Sequence, residues 1–378
     1  MIDGECDPRF AAVRDTFAAS FDAGREVGAS FAATIGGRLV VDLWGGHADA
    51  ARTRPWRRDT IVNVFSTTKA MTALCAHLLV DRGLLDLDAP VARYWPEFAA
   101  AGKEALPVRM LLCHTAGLAA IRPRISLETI YDWDRYAAVI AAETPWWEPG
   151  TANGYHALTF GHLVGELIRR IGGKSMGRFL RDEVTGPLGA DFHVGLDVAE
   201  EGRCAEMIAP TAAEEAAAGV PDPAPGSLRA KVFGNPPLHP RQANTSAWRR
   251  AEIPAANGHG NARSVARVLA ALACGGTLDG VRLLDAASIA RAIEPQAYDR
   301  DLVLGFKLKW GLGFMLTSDE LPLSPNPRAF GHGGWGGSLG FADLDAGVSW
   351  AYVMNKMTPG TAGDTRGGAL MAALYGAL

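Results

Sequence analysis

Apolar and polar positions divide the chain into strand-like ends and a helical middle. Phe10 to Ala23 carries apolar residues at helical spacing. Gly28 to Val41 reads as two strands joined at Gly36-Gly37, a hairpin signal, with a second turn expected at Gly45-Gly46. Asp59 to Phe65 leads into a helix opened by Ser66, apolar through Leu79 and stopped near Asp81-Arg82-Gly83. From Leu84 to about Ala224 the pattern is mostly helical, with helices over Tyr131–Ala142 and Ala157–Ile171. Ala209 to Pro225, rich in Ala, Glu and Pro, reads as a surface loop or weak helix. Beyond Pro254 come a helix over Arg263–Cys274 and β-type runs at Trp310–Thr317 and Gly340–Met354. The second run is broken at Asp345-Ala346-Gly347, and a closing helix covers Gly367–Leu378. This order predicts an antiparallel α/β domain made of 1–83 and 254–378, with a mainly helical domain, 84–253, inserted in it.

The helix at Ser66 has a chemical consequence. Residues three apart are neighbours on a helix surface, so Lys69 would sit one turn from Ser66 on the same face. The positive helix end and partial burial both disfavour an ammonium, and an amine that sheds its proton can activate a serine. Ser-x-x-Lys also arises about once by chance in a chain of ordinary composition. A third group is needed to move protons. Tyr155, on the Gly-rich loop Pro149–Ala157, is the candidate, its phenol expected to be lowered by the lysine; the alternative is a ring packed beneath the loop. Oxyanion donors are sought in the Ser66 N–H and in Gly331-His332-Gly333-Gly334-Trp335-Gly336-Gly337, where glycines permit close approach to a ligand.

Two motifs in that segment compete. Gly336-Gly337-Ser338-Leu339-Gly340 matches Gly-x-Ser-x-Gly, which would make Ser338 the nucleophile, but that motif needs a helix after it and a strand pattern follows. Gly331–Gly336 fits Gly-x-Gly-x-x-Gly without the helix of a dinucleotide site. His156 and His162 fall on different helix faces, so no metal is expected, and His114 reads as a structural hydrogen-bonding group. The five cysteines include no Cys-x-x-Cys, and a net charge of -4 without a basic stripe argues against nucleic acid. No apolar run reaches membrane-spanning length, and the first residues lack the pattern of a signal peptide, which predicts a cytoplasmic protein.

Several stretches, in order, resemble the serine β-lactamase and penicillin-binding-protein superfamily, above all its class C-like branch, the family VIII carboxylesterases. They are Phe65-Ser66-Thr67-Thr68-Lys69, Gly83–Val91 with Tyr94–Phe98, Leu111–Leu118, Glu148–Thr151 with Tyr155, and Gly331–Gly334. The resemblance implies a β-lactamase-like fold, with an antiparallel sheet flanked by helices beside an inserted helical domain and the site in the groove between. It implies that Ser66 is the nucleophile, that Lys69 and Tyr155 share base and acid work, and that the Ser66 and Trp335 N–H groups form the oxyanion hole. His332-Gly333-Gly334 takes the position of a Lys-Thr-Gly motif that the chain lacks. His332 could replace that lysine's charge only when protonated. Ala157 stands where lactamases and peptidases have an asparagine.

These departures favour a cofactor-free serine carboxylesterase for short-chain or aryl esters. The alternatives are a β-lactamase or D-amino-acid peptidase or amidase of the same superfamily, and a non-catalytic ligand-binding relative. Tyr131, Trp133, Trp146 and Trp147 are expected either to shape a substrate pocket or to pack in the core, and His332, Gly333, Gly334 and Trp335 to line the site.

Overall fold

The computed structural model describes residues 2–219, 223–360 and 364–378. Nine antiparallel strands form its main sheet: β1 (Ile2–Cys6), β2 (Gly28–Ile35), β3 (Arg38–Gly46), β4 (Ala297–Arg300), β5 (Lys307–Trp310), β6 (Met315–Leu316), β7 (Ala329–Gly333), β8 (Leu339–Asp343) and β9 (Val348–Met354). Their spatial order is β1-β3-β2-β9-β8-β7-β6-β5-β4, so the two ends of the chain meet where β2 pairs with β9. At its centre every residue of β9 is buried, because helices cover both faces.

Five helices matter for the site: α1 (Ala11–Asp22), α2 (Thr68–Asp81), α3 (Thr159–Gly172), α4 (Ala262–Ala273) and α5 (Thr365–Tyr375). Helix α1 packs against α5, α4 lies on β9, β2 and β8, and α2 packs against α3. Twelve of the fourteen α2 residues are buried. That helix therefore runs through the core between sheet and helical segments, and whatever its first turn carries is shielded from water.

The helix and hairpin expectations hold at Gly36-Gly37, α1, α2, α3, α4 and the Asp345–Gly347 turn. Two others are corrected. Gly45-Gly46 is not a turn: β3 continues through both, pairing with Ala29 and Gly28, and a Cβ on Gly46 would lie 2.1 Å from the Val27 carbonyl oxygen. Tyr131–Ala142 is not one helix, because Asp132 is extended and its side chain accepts the Arg135 N–H, capping a new helix from Trp133. The reading of Ala209–Pro225 as a surface loop or weak helix holds: an exposed helix, Ala212–Ala218, is opened by a capping box at Thr211 and Glu214, while 220–222 lie outside the described residues. Strand β1 has no counterpart in the sequence reading. Among the described residues no helix is long and apolar enough to cross a membrane.

Candidate active site

Ser66 lies in a turn just before α2, and the turn is held from several directions. Phe65 takes a positive φ of 42°, strained for an aromatic residue, and Thr68 Oγ1 donates to its carbonyl at 2.5 Å. The same hydroxyl accepts the Gly258 N–H at 2.8 Å, and the Val64 N–H donates to the Gly258 carbonyl at 2.9 Å. Ser66 is thus presented on a constrained corner whose support comes from residues about 190 positions away.

Lys69 is fully buried, with Nζ 3.1 Å from Ser66 Oγ. Its other neighbours are the Ala157 carbonyl at 2.8 Å and the Ala255 carbonyl at 2.9 Å. Burial alone pulls its pKa well below the usual lysine range. A neutral amine has two N–H groups and one lone pair. Two carbonyls can only accept, so with the amine neutral its two N–H groups would serve them and its lone pair would face the Ser66 hydroxyl across the 3.1 Å contact.

Tyr155 is buried in the same place. Lys69 Nζ lies 4.7 Å from the centroid of its ring. The expected lowering of the phenol is overturned: burial pushes the Tyr155 pKa up, the Ser66 hydroxyl opposes the rise, and Asp301 adds to it. Asp301 also builds the loop, its Oδ1 accepting from the backbone N–H groups of Tyr155, Val303 and Leu304 at 2.8–3.0 Å. On the other side the His114 carbonyl accepts the Gly154 N–H at 3.0 Å, and His114 Nδ1 accepts the His156 N–H at 3.2 Å. His114 is the structural group it was read to be.

The third component is the turn after β7. The Gly337 N–H donates to the Gly334 carbonyl at 3.1 Å, and Gly336 has φ +84°, which makes Gly334–Gly337 a type II turn with Trp335 at its second position. A Cβ on Gly334 would stand 2.2 Å from the Val64 carbonyl oxygen, so only glycine lets this turn reach the Ser66 corner. The Trp335 ring packs edge-on against Phe65, 5.2 Å between centroids. Neither the Ser66 nor the Trp335 backbone N–H donates to a protein acceptor among the described residues. Ser338 is buried, donates to the Val64 carbonyl at 2.7 Å and lies 3.0 Å from Thr67 Oγ1. It fastens the two turns together and does not line the Ser66 cleft.

Tyr155 separates two cavities. One, of about 200 Å³, is bounded by Ser66, Phe65, Leu158, Phe233, Trp248 and Trp335. The other, of about 140 Å³, lies beside Trp310, His332, Gly333, Phe341 and Trp350. His332 has Nδ1 2.6 Å from the Gly333 carbonyl, so the proton sits on that nitrogen, and burial lowers the ring to about 3. It is neutral near pH 7 and cannot stand in for a lysine.

Four aromatic residues singled out in the sequence line neither cavity. Trp133 donates to Glu166 at 2.7 Å and packs on His162, and Trp146 donates to the Ala120 carbonyl beneath the Arg122 guanidinium. Trp147 donates to the Ala152 carbonyl, and Tyr131 is half-buried near Thr245. The sequence reading missed Phe233, Trp248 and Trp310, none of which carries a local motif. Among the described residues no group of His, Cys, Asp and Glu is arranged to hold a metal.

Residues 13–374 match the family described as Beta-lactamase. The chain belongs to the β-lactamase family. An esterase/beta-lactamase of Mycobacterium tuberculosis, LipL, is 38% identical over 94% of this chain and 83% of its own length. Among solved structures, a family VIII carboxylesterase is 48% identical with a TM-score of 0.93, each chain fully covered. A penicillin-binding protein homologue from Caulobacter crescentus is 43% identical with a TM-score of 0.92, again fully covered. The β-lactamase-like fold expected from the motif order is therefore the fold of this chain.

Proposed function

We propose that the protein is a carboxylesterase in which Ser66 is the nucleophile, Lys69 its base and Tyr155 the proton donor to the leaving alcohol. The family and its esterase relatives make the chain an esterase-type serine hydrolase; the assignment of roles to atoms is our reading. The observation that carries it is the buried Lys69 amine, with two positions taken by carbonyls and the third facing Ser66 Oγ.

In acylation the Ser66 proton passes to Lys69 as Oγ attacks the ester carbonyl carbon. The oxygen that gains charge rests on the Ser66 and Trp335 N–H groups, donors worth about 2.7–4 kcal/mol each in such sites. Tyr155, kept protonated by burial, gives its proton to the departing alkoxide, and the Lys69 ammonium replaces it. Water then attacks the acyl-enzyme, its proton reaching Lys69 by way of Tyr155, and Lys69 returns that proton to Ser66 Oγ as the carboxylic acid leaves, restoring the neutral amine and the free hydroxyl.

Small esters suit the two cavities beside Tyr155, since a void of about 150 Å³ is enough to hold a benzene ring. β-Lactams and D-peptides fit less well. The neutral His332 offers their carboxylate no charge, and Ala157 offers no side-chain amide. The test is turnover of p-nitrophenyl acetate together with fluorophosphonate labelling and peptide mapping. An adduct on Ser66 is expected. An adduct on Ser338 would move the nucleophile, and no adduct with no turnover would favour the ligand-binding alternative.

A further inference from the structure

A buried ionic cluster, one member of which, Asp364, borders the cavity beside Trp310, converges on the turn that carries Trp335. Arg366, at the start of α5, is 3% exposed and uses its whole guanidinium. Nη1 donates to Glu26 Oε2 at 2.9 Å and to the Arg25 and Lys356 carbonyls at 3.1 and 3.0 Å. Nη2 donates to Asp364 Oδ2 at 2.5 Å and to the Gly336 carbonyl at 3.3 Å. That carbonyl also accepts from the Thr358 N–H at 2.9 Å, and the Thr358 hydroxyl sits between it, at 3.3 Å, and Asp364 Oδ2, at 3.1 Å. Asp364 closes against Gly337, where a Cβ would stand 2.1 Å from its Oδ2.

A type II turn is defined by how its central peptide is rotated, and two N–H donors on the Gly336 carbonyl, with the Thr358 hydroxyl bridging it to Asp364, resist rotation of the peptide that follows. Glu26 and Asp364 are themselves fully buried, so removing the arginine would leave charges unpaired, and Tyr352 donates to Glu26 at 2.5 Å to complete the cluster. We propose that Arg366, with Glu26 and Thr358 behind it, is a positioning residue for the oxyanion hole: it fixes the Gly334–Gly337 turn so that the Trp335 N–H faces the substrate oxygen. This rests on the esterase reading, and it assigns a functional load to the packing of α5 against the sheet.

Oriented donors are sensitive to displacement, so Arg366→Lys, which keeps the charge and loses the fork, should cut kcat by about 30-fold with KM within about twofold. Rates are taken per active site, titrated by the acyl burst, so a partly unfolded preparation does not count as a loss. Thr358→Val removes the hydroxyl that bridges the Gly336 carbonyl and Asp364 and keeps the backbone N–H; it should cost about fivefold in kcat and slow phosphonate inactivation in parallel. Should Arg366→Lys fail to fold, Thr358→Val and Glu26→Gln carry the test. Per-site kcat within twofold of the parent in every folded variant overturns the proposal. An inactive parent that Ser66-directed phosphonate does not label overturns the esterase reading instead.

Discussion

Two lysines are taken out of water in this fold, and they are held in different ways. Lys103 Nζ donates to three carbonyls, those of Ala100, Ala141 and Glu143, at 2.6–2.9 Å. Lys69 Nζ meets two carbonyls and one hydroxyl. Three obligate acceptors require three N–H groups, which only an ammonium has. Burial lowers Lys103, but the Glu143 charge pulls it back, whereas nothing opposes burial at Lys69. The identity of the third acceptor thus separates a cation that ties chain segments together from an amine free to take a proton.

The largest separation is expected in activity. Lys69→Met should lower kcat/KM by about 10³-fold, within the range for losing a general base, with little change in the denaturant midpoint. Lys103→Met should do the reverse. It strands three buried carbonyls and the Glu143–Arg122 pair, costs about 2–4 kcal/mol of stability in urea unfolding, and leaves kcat per titrated site unchanged. A stability loss at both positions without an activity loss at 69 would erase the distinction.

Tyr155→Phe comes next, at about 10²-fold in kcat, measured on esters with poor alkoxide leaving groups. Because burial holds the phenol protonated, the loss should shrink for p-nitrophenyl esters, whose leaving group needs no proton. An equal loss on both kinds of ester would assign Tyr155 to base work alone. The acid limb of kcat/KM should follow Lys69: neutral amine is active, so activity falls as pH drops through its lowered pKa. In Lys69→Met that limb should disappear from the residual rate.

The sequence revealed the local half of this arrangement. Ser66 and Lys69 are three residues apart at a helix start, so one turn of geometry determines their meeting. Tyr155 is a loop candidate with a packing alternative and Trp335 one residue of a glycine-rich run until the resemblance gives them roles, since their loops are fixed by Asp301, His114 and Val64, each distant in the chain. The aromatic residues show the limit. Trp133 and Trp248 look alike in sequence, yet Trp133 packs against His162 and donates to Glu166, while Trp248 borders the Ser66 cleft. A ring's side of a helix or loop is chosen by partners that no local pattern names. The phenol pKa failed for a related reason: adjacency to a lysine was legible, but burial, which reverses the sign, was not.

The logic that separates the lysines extends to imidazoles and sets the smallest effect. His77, His156, His162, His259 and His332 are buried, with burial lowering them to about 3–4, and His114 is lowered well below its usual value. Each is neutral when folded and free to bind a proton when unfolded. Stability is therefore fully present above the unfolded value near 6.5 and is lost as pH falls below it, by about 1.4 kcal/mol per unit per histidine until the folded value is reached. His162 is the cleanest reporter. Among the described residues neither of its ring nitrogens has a partner, Trp133 and Tyr136 pack against it, and it lines neither cavity beside Tyr155. His162→Phe should leave kcat untouched and make unfolding free energy between pH 6 and 5 less steep by about one proton, or about 1.4 kcal/mol per pH unit. An unchanged slope would mean that His162 already carries a proton in the folded protein, and burial without a partner would then be insufficient to keep a nitrogen neutral here, at Lys69 as well.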